Sequence, residues 1–236
     1  MTELARRIDG LDWPAIDRAL ATDGYARLPP LLSQAERQAL TALDSDDARF
    51  RTRIDMARHR FGIGRYGYFA DPLPADVAAL RTGLYPKLAP MANAMMAALK
   101  QEHCYPEALP EFLEDCATAG QTKPTPLLLH YVAGGHNRLH QDLYGPLAFP
   151  IQAVMLLSDP AEDFTGGEFL LAEGVPRQQI RAEAIALAAG ETILFPTAER
   201  PVPGARGVLR ARMRHGVSRV RSGERYTLGV IFHNAR

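Results

Sequence analysis

The sequence predicts a mainly β protein with α-helices (α+β): a double-stranded β-helix, jelly roll and cupin-like, behind an N-terminal helical layer. Three observations predict it. From Thr125 onward apolar residues recur with a period of two. Candidate strands follow one another in a single block, at 125–132, 137–143, 149–158, 167–172, 178–187, 191–196, 207–215 and 225–233. Gly, Pro, Asp or Asn punctuates most of the gaps. Short strands in one continuous block suit a double-sheet jelly roll. The residues before them read mostly as helices that would cover the outside of one sheet. The 236 residues are expected to form one domain, 1–236, with 1–124 as helix-rich support and 125–236 as the jelly-roll core.

Within the first half, Pro14 opens a short helix that Gly24 can close. Residues 24–29 read as a first strand. Ser33 with Glu36 forms a capping box, which starts a helix running to about Leu43. Arg51 to Phe69 reads as extended, with glycines at 62, 64 and 67. Residues 75–100 are rich in Ala and Leu and helical, and Pro86 and Pro90 are expected to kink or split that helix. Its Met91, Met95 and Met96 sit at core spacing. Pro110 to Ala119, closed by Gly120, makes another short helix.

Composition narrows the function. Lys plus Arg equals Asp plus Glu, at 27 each, so the chain is not built as a general polyanion binder. Charge is uneven locally: residues 199–225 hold eight arginines against Glu199 and Glu224. Cys104 and Cys116 form no CxxC pattern, which fits a reducing cytosol, although a bridge between them is sterically open. The start of the chain lacks the pattern of a signal peptide, and Met91 to Leu99 is too short to span a bilayer. A cytoplasmic protein with no membrane partner is expected. No interface pattern stands out to indicate an oligomeric state.

The chemistry centres on His140-Gln141-Asp142. In a strand, side chains at i and i+2 share a face, so one imidazole and one carboxylate aim at a single point. In 207–215, His215 shares a face with Leu209, Ala211 and Met213, while Arg210, Arg212 and Arg214 take the other. The apolar face should point into the barrel and bring His215 to the same point. Two histidines and a carboxylate on one side of a metal leave positions open, the usual host for Fe(II) that activates O2. In the last strand Arg225 and Thr227 share a face with Gly229 and Ile231; Tyr226, Leu228, Val230 and Phe232 form the opposite wall, against helices. An interior arginine needs an anion, and a small dicarboxylate would supply one bidentately, with Thr227 donating a further hydrogen bond.

These residues resemble the Fe(II)/2-oxoglutarate-dependent dioxygenases, whose motif is HxD, a distal His and a basic residue about ten positions on. The resemblance spans 125–236 and is strongest toward the prolyl-hydroxylase-like branch, with Tyr131-x-x-Gly134 leading into the motif. It implies that Tyr131 lies near 2-oxoglutarate and that Gly166-Gly167 begins a strand close to the metal. A further resemblance runs through the whole chain. Met56 to Gly62, Gln121 to Pro126, Leu139 to Gly145, Phe164 to Phe169 and Arg214 to Arg219 look like a bacterial family described as predicted oxygenases for oxidative demethylation of damaged DNA. One departure is that His136-Asn137-Arg138 is more basic than usual for the positions before the motif.

The resemblance implies Fe(II) on His140, Asp142 and His215. It places 2-oxoglutarate on the metal and on Arg225, with O2 as the oxidant. The family implies an alkylated DNA or RNA base as substrate. Hydroxylation of a protein, at proline or another side chain, and hydroxylation of a small molecule are the alternatives. The arginines at 49, 51, 53, 58, 60 and 65 precede Tyr66, Tyr68 and Phe69. Basic residues beside aromatics suit a flipped or single-stranded base, or a peptide-binding lip; Arg58, Arg60, Tyr66 and Tyr68 are the substrate candidates. Arg210, Arg212 and Arg214 would track phosphates, pair with acids of the N-terminal helices, or stay solvated. His130 faces away from Tyr131 and is expected to be structural or on the surface. His59, His103 and His233 have no partner at a telling spacing.

Overall fold

The computed structural model describes residues 2–205 and 207–236. The helices are α1 (Glu3–Asp9), α2 (Trp13–Thr22), α3 (Gln34–Ala42), α4 (Ala75–Ala98) and α5 (Leu109–Thr118). The early strands are β1 (Ala26–Leu28), β2 (Phe50–Asp55), β3 (Gly62–Ile63) and β4 (Arg65–Phe69). The later ones are β5 (Leu127–Val132), β6 (His136–His140), β7 (Ile151–Leu156), β8 (Phe164–Gly166) and β9 (Phe169–Gly174). They are followed by β10 (Arg181–Ile185), β11 (Thr192–Pro196), β12 (Glu199–Gly204), β13 (Gly207–Val217) and β14 (Val220–Val230).

Two antiparallel sheets face each other. The first runs β1-β11-β7-β14-β5-β4-β2, with β8 also on β14; the second runs β10-β9-β13-β6-β3, with β12 on β13. The first half of the chain thus contributes strands to both sheets as well as helices. The outer face of the first sheet packs on the helices. There Leu228, Val230 and Phe232 join Leu84, Leu88 and Phe112 in one apolar cluster. Tyr85 lies 4.9 Å from the ring of Phe149 and 6.1 Å from that of Phe232. Between the sheets a second cluster holds Met56, Tyr131, Leu156, Phe169, Phe195, Met213 and Val220. Burial of this apolar surface is the main driving force for closing the two sheets.

The capping box of α3 is present, with Ser33 and Glu36 each satisfying the other's backbone N–H. Pro86 and Pro90 do not split α4, which stays one helix from Ala75 to Ala98. They are four residues apart, so both missing donors fall along one side of the helix. Strand β12 went unread because Pro201 and Pro203 argue against a strand; it pairs only with β13, and an edge position tolerates proline. Strand β14 begins at Val220, five residues before the expected start, and runs on through Gly223 (φ +75°). Helix α1 and the three-residue β8 were also unread. Cys104 and Cys116 are free thiols, the first exposed and the second buried, so no bridge forms. Met96 is buried in the helical core, with Met91 and Met95 packed against it. Among the described residues no helix is long and apolar enough to cross a membrane.

Several histidines and arginines have structural duties. His130 is buried, stacks on Tyr226 at 4.1 Å and meets Glu224 at 2.9 Å. Beside it Asp44 accepts from Arg53 at 2.7 Å, Arg65 at 2.6 Å and the Tyr226 hydroxyl at 3.2 Å. Arg81, buried in α4, donates to the carbonyls of Ile231 and Phe232 and to the Asn234 side chain, which fixes the segment after β14. His233 is fully buried, and its Nδ1 accepts from the Phe149 N–H at 3.1 Å.

Burial pushes the His233 imidazole down to about 4, with Asp142 opposing the shift and Arg81 adding to it. Because the folded value lies below that of the unfolded chain, the unfolded state takes up the proton first as pH falls. This stabilisation is complete above about pH 6.5 and is lost as pH falls toward 4, by roughly 3 kcal/mol in all. In metal-free protein, His233→Asn is expected to flatten the fall in urea-unfolding free energy across that window; an unchanged slope would contradict the assignment.

Candidate metal centre

The centre rests on one strand pairing. β6 and β13 run antiparallel with His140 opposite His215, which places two imidazoles side by side with ring centroids 4.2 Å apart. The pairing is irregular between His215 and Val217, where β6 accommodates an extra residue. Asp142 lies two residues beyond the end of β6, so strand alternation alone does not place it. Its segment is held by neighbours instead. The Gln141 carboxamide donates to the carbonyls of Ala198 and Met213, both at 2.8 Å. The Tyr144 hydroxyl donates to Asp142 Oδ1 at 2.6 Å.

Asp142 Oδ2 lies 3.2 Å from His215 Nε2, and Oδ1 lies 3.6 Å from His140 Nε2. The three ligand atoms all fall within 4.8 Å of one another. His140 Nδ1 sits 2.8 Å from the Arg138 carbonyl, so it carries the proton and leaves the Nε2 lone pair facing the centre. His215 Nδ1 has no partner; its ring is held by packing, 4.8 Å from Phe195 and 5.9 Å from Phe169. Burial, and then the neighbouring His215, push the His140 imidazole down and keep it neutral. Burial alone would raise Asp142, but His215, His140 and the Tyr144 hydroxyl hold it well below the usual carboxylate range. Two imidazoles and one carboxylate are the donor set that Fe(II) takes on one face. The residues present therefore fit an iron site.

The centre opens into a cavity of about 450 Å³. Its walls include Tyr66, Tyr68, Tyr144, Tyr131, Gln152 and Phe169, and its exposed lining residues include Arg60, Phe61, Arg138 and Leu139. Tyr68 meets Tyr66 edge-on at 5.4 Å and Tyr144 edge-on at 5.9 Å. Thr227 also lines this cavity.

Arg225 is 1% exposed and has no carboxylate within ion-pair distance among the described residues. Its Nη1 contacts Thr227 Oγ1 at 3.5 Å, its Nε has no partner, and the rings of Tyr131 and Phe164 flank it at 5.7 and 5.8 Å. Burial pushes its guanidinium down to about 10. Gly167 (φ +65°) packs directly on it: a Cβ there would stand 2.7 Å from Arg225 Cδ. Of the glycine pair expected beside the metal, Gly167 thus packs on Arg225 and Gly166 on Arg219 and Arg221, and the strand that follows carries Phe169 to His215. Tyr131 is wholly buried, and burial pushes its phenol up against the opposing pull of Arg225.

Of the substrate candidates, Arg60, Tyr66 and Tyr68 line the cavity. Arg58 does not; it is exposed and lies 3.6 Å from Asp55. Much of the basic stretch is engaged internally: Arg53 and Arg65 on Asp44, Arg49 on Asp46, and Arg51 on the Pro124 carbonyl and the Tyr68 ring. Arg210 pairs with Glu199 on the adjacent strand at 3.0 Å, whereas Arg212 and Arg214 lie exposed on the outer face. Tyr144, Gln141 and Gln152 were missed by sequence reasoning. Tyr144 had a signal, standing two residues after Asp142, and Gln152 is the one polar residue in the otherwise apolar β7.

The fold and this ligand set define the class, a 2-oxoglutarate- and Fe(II)-dependent oxygenase. Solved structures with the same fold include a prolyl-4-hydroxylase from Pseudomonas putida (TM-score 0.55, 17% identity, 95% of this chain and 99% of that one). A 2OG-Fe(II) oxygenase-family oxidoreductase from Burkholderia pseudomallei gives TM-score 0.56 at 15% identity over 96% and 93% of the two chains. The prolyl hydroxylase from Trichoplax adhaerens, solved with a hypoxia inducible factor peptide, gives 0.54 at 12% identity over 98% and 92%. Residues 64–235 match the family described as an oxygenase catalysing oxidative methylation of damaged DNA. The chain belongs to that family. Uncharacterized proteins from two strains of Mycobacterium tuberculosis are 47% identical over 182 residues, 73% of this chain and 78% of theirs.

Because Tyr144 orients the carboxylate, Tyr144→Phe is expected to weaken Mn(II) binding about tenfold, read by calorimetry under anaerobic conditions. Unchanged affinity would show that Asp142 needs no such support.

Proposed function

We propose that residues 1–236 work as one Fe(II)/2-oxoglutarate-dependent dioxygenase, acting in the cytoplasm on an alkylated nucleic-acid base. His140, Asp142 and His215 would hold the iron. Arg225, with Thr227 and Tyr131, would hold the far carboxylate of 2-oxoglutarate. The observation that carries this reading is Arg225 itself. A fully buried guanidinium without an acidic partner is costly, and an anionic ligand of the right reach removes the cost. When bound, iron, 2-oxoglutarate and O2 together supply an oxidant that yields succinate and carbon dioxide and puts one oxygen atom into a substrate C–H bond.

The chain's own residues then do the positioning. Arg138 O fixes the tautomer of His140, and Tyr144 and Gln141 hold the Asp142 segment. Phe169 and Phe195 exclude water around His215. Tyr66, Tyr68 and Tyr144 offer aromatic faces to a planar substrate, and Arg60 and Arg138 offer charge at the exposed rim to a phosphate. Hydroxylation of an N-methyl carbon gives a product that collapses to formaldehyde and a free amine.

A protein hydroxylase is the second reading. The internal engagement of Arg53 and Arg65 favours it, since few arginines remain free to follow a phosphate backbone. The two separate by product. With methylated single-stranded DNA the enzyme is expected to release formaldehyde in step with succinate, and to leave proline-containing peptides unchanged in mass. A one-oxygen mass gain on a peptide, with no formaldehyde from DNA, would overturn the nucleic-acid reading.

A further inference from the structure

Gln152 is a buried polar residue in the cavity wall with no role at the candidate metal ligands or at Arg225. It is 1% exposed, it lines the cavity, and its Nε2 has no hydrogen-bond partner among the described residues. A buried amide left unsatisfied is expensive, so such a group points to a ligand. The sheet register says which one. On β7, Gln152 stands opposite Phe195 of β11, whose ring lies 4.8 Å from that of His215. On its other side it follows the Ala153–Val230 pair, which brings it level with Ile231. Arg225 pairs with Tyr131 at the middle of β14, and Thr227 and Gly229 lie between it and Ile231, just past the strand's end. From Arg225 to Ile231 is about 20 Å along an extended strand. A five-carbon dicarboxylate anchored on Arg225 covers only part of that length, with Thr227 and Gly229 between its anchor and Gln152.

We propose that Gln152 is a specificity-determining residue that hydrogen-bonds the primary substrate at the end of the cavity away from Arg225. This rests on the nucleic-acid reading above and adds to it the group that recognises the base. The carboxamide carries a donor and an acceptor side by side, and a half-turn of its terminal torsion exchanges them. That pair complements the amide-like edge of a heterocyclic base. Tyr68 and Tyr144 line the same cavity and supply faces for the ring.

The test compares wild type with Gln152→Leu, which keeps the volume and removes the amide. The melting temperature of the variant is expected to equal or exceed that of wild type, because an unsatisfied group has been removed. A clear fall would show that the amide already has a partner within the protein, and would overturn the proposal. With Mn(II) loaded, 2-oxoglutarate affinity is expected to be unchanged; a tenfold loss would assign Gln152 to the co-substrate instead. With a single-stranded oligonucleotide carrying 1-methyladenine, KM is expected to rise about tenfold. Wild type active and the variant equally active would overturn the role of Gln152 alone. Wild type inactive on the oligonucleotide would overturn the nucleic-acid reading, and this proposal with it.

Discussion

The pairing of β6 with β13 is the constraint on which the rest of the site depends. Two distant stretches of chain meet antiparallel with His140 opposite His215, and that register makes the two imidazoles neighbours. The segment after β6 must then turn back so that Asp142 faces both. Gln141, between His140 and Asp142, holds this segment by donating to the carbonyls of Ala198 and Met213. A slip of one residue in the register would turn either histidine to the opposite face.

Around that pairing the barrel keeps two charged groups out of water for different reasons. Asp142 is stabilised from within, by His215, His140 and the Tyr144 hydroxyl. Arg225 is not: a threonine, two aromatic rings and a glycine surround it, and Glu168 acts on it only from beyond ion-pair distance. The first arrangement is stabilised within the chain, whereas an anionic ligand would stabilise the second. The two groups line different pockets: Asp142 lines the cavity at the candidate metal centre, and Arg225 a second one with Phe164, Gly167 and Glu168. On the proposed function the carboxylate would take the metal and the buried guanidinium the dicarboxylate. Binding energy at Arg225 would then orient the reacting end of that molecule.

The candidate metal ligands were legible in the sequence because their chemistry is carried by residue type and period. The alternation of His215 with Arg210, Arg212 and Arg214 settles which face is interior. The same reasoning placed Arg225 and Thr227 inward and Leu228, Val230 and Phe232 against the helices, where they are found. Other features depended on contacts that no local pattern announces. Pro201 and Pro203 concealed β12, because its edge position is a property of the assembled sheet. The arginines of 49–65 read as a basic stripe, yet Asp44 neutralises two of them across a fold-back invisible in sequence. Gln141 and Tyr144 flank the motif and read as ordinary polar residues until their partners are known.

The most direct measurement is 2-oxoglutarate affinity under anaerobic conditions, for wild type and Arg225→Gln, each with and without Mn(II) in the Fe(II) position. The account predicts tight binding only when both the metal and Arg225 are present, with at least a tenfold loss when either is missing. Binding to Arg225→Gln as tight as to wild type, or binding indifferent to the metal, would contradict it.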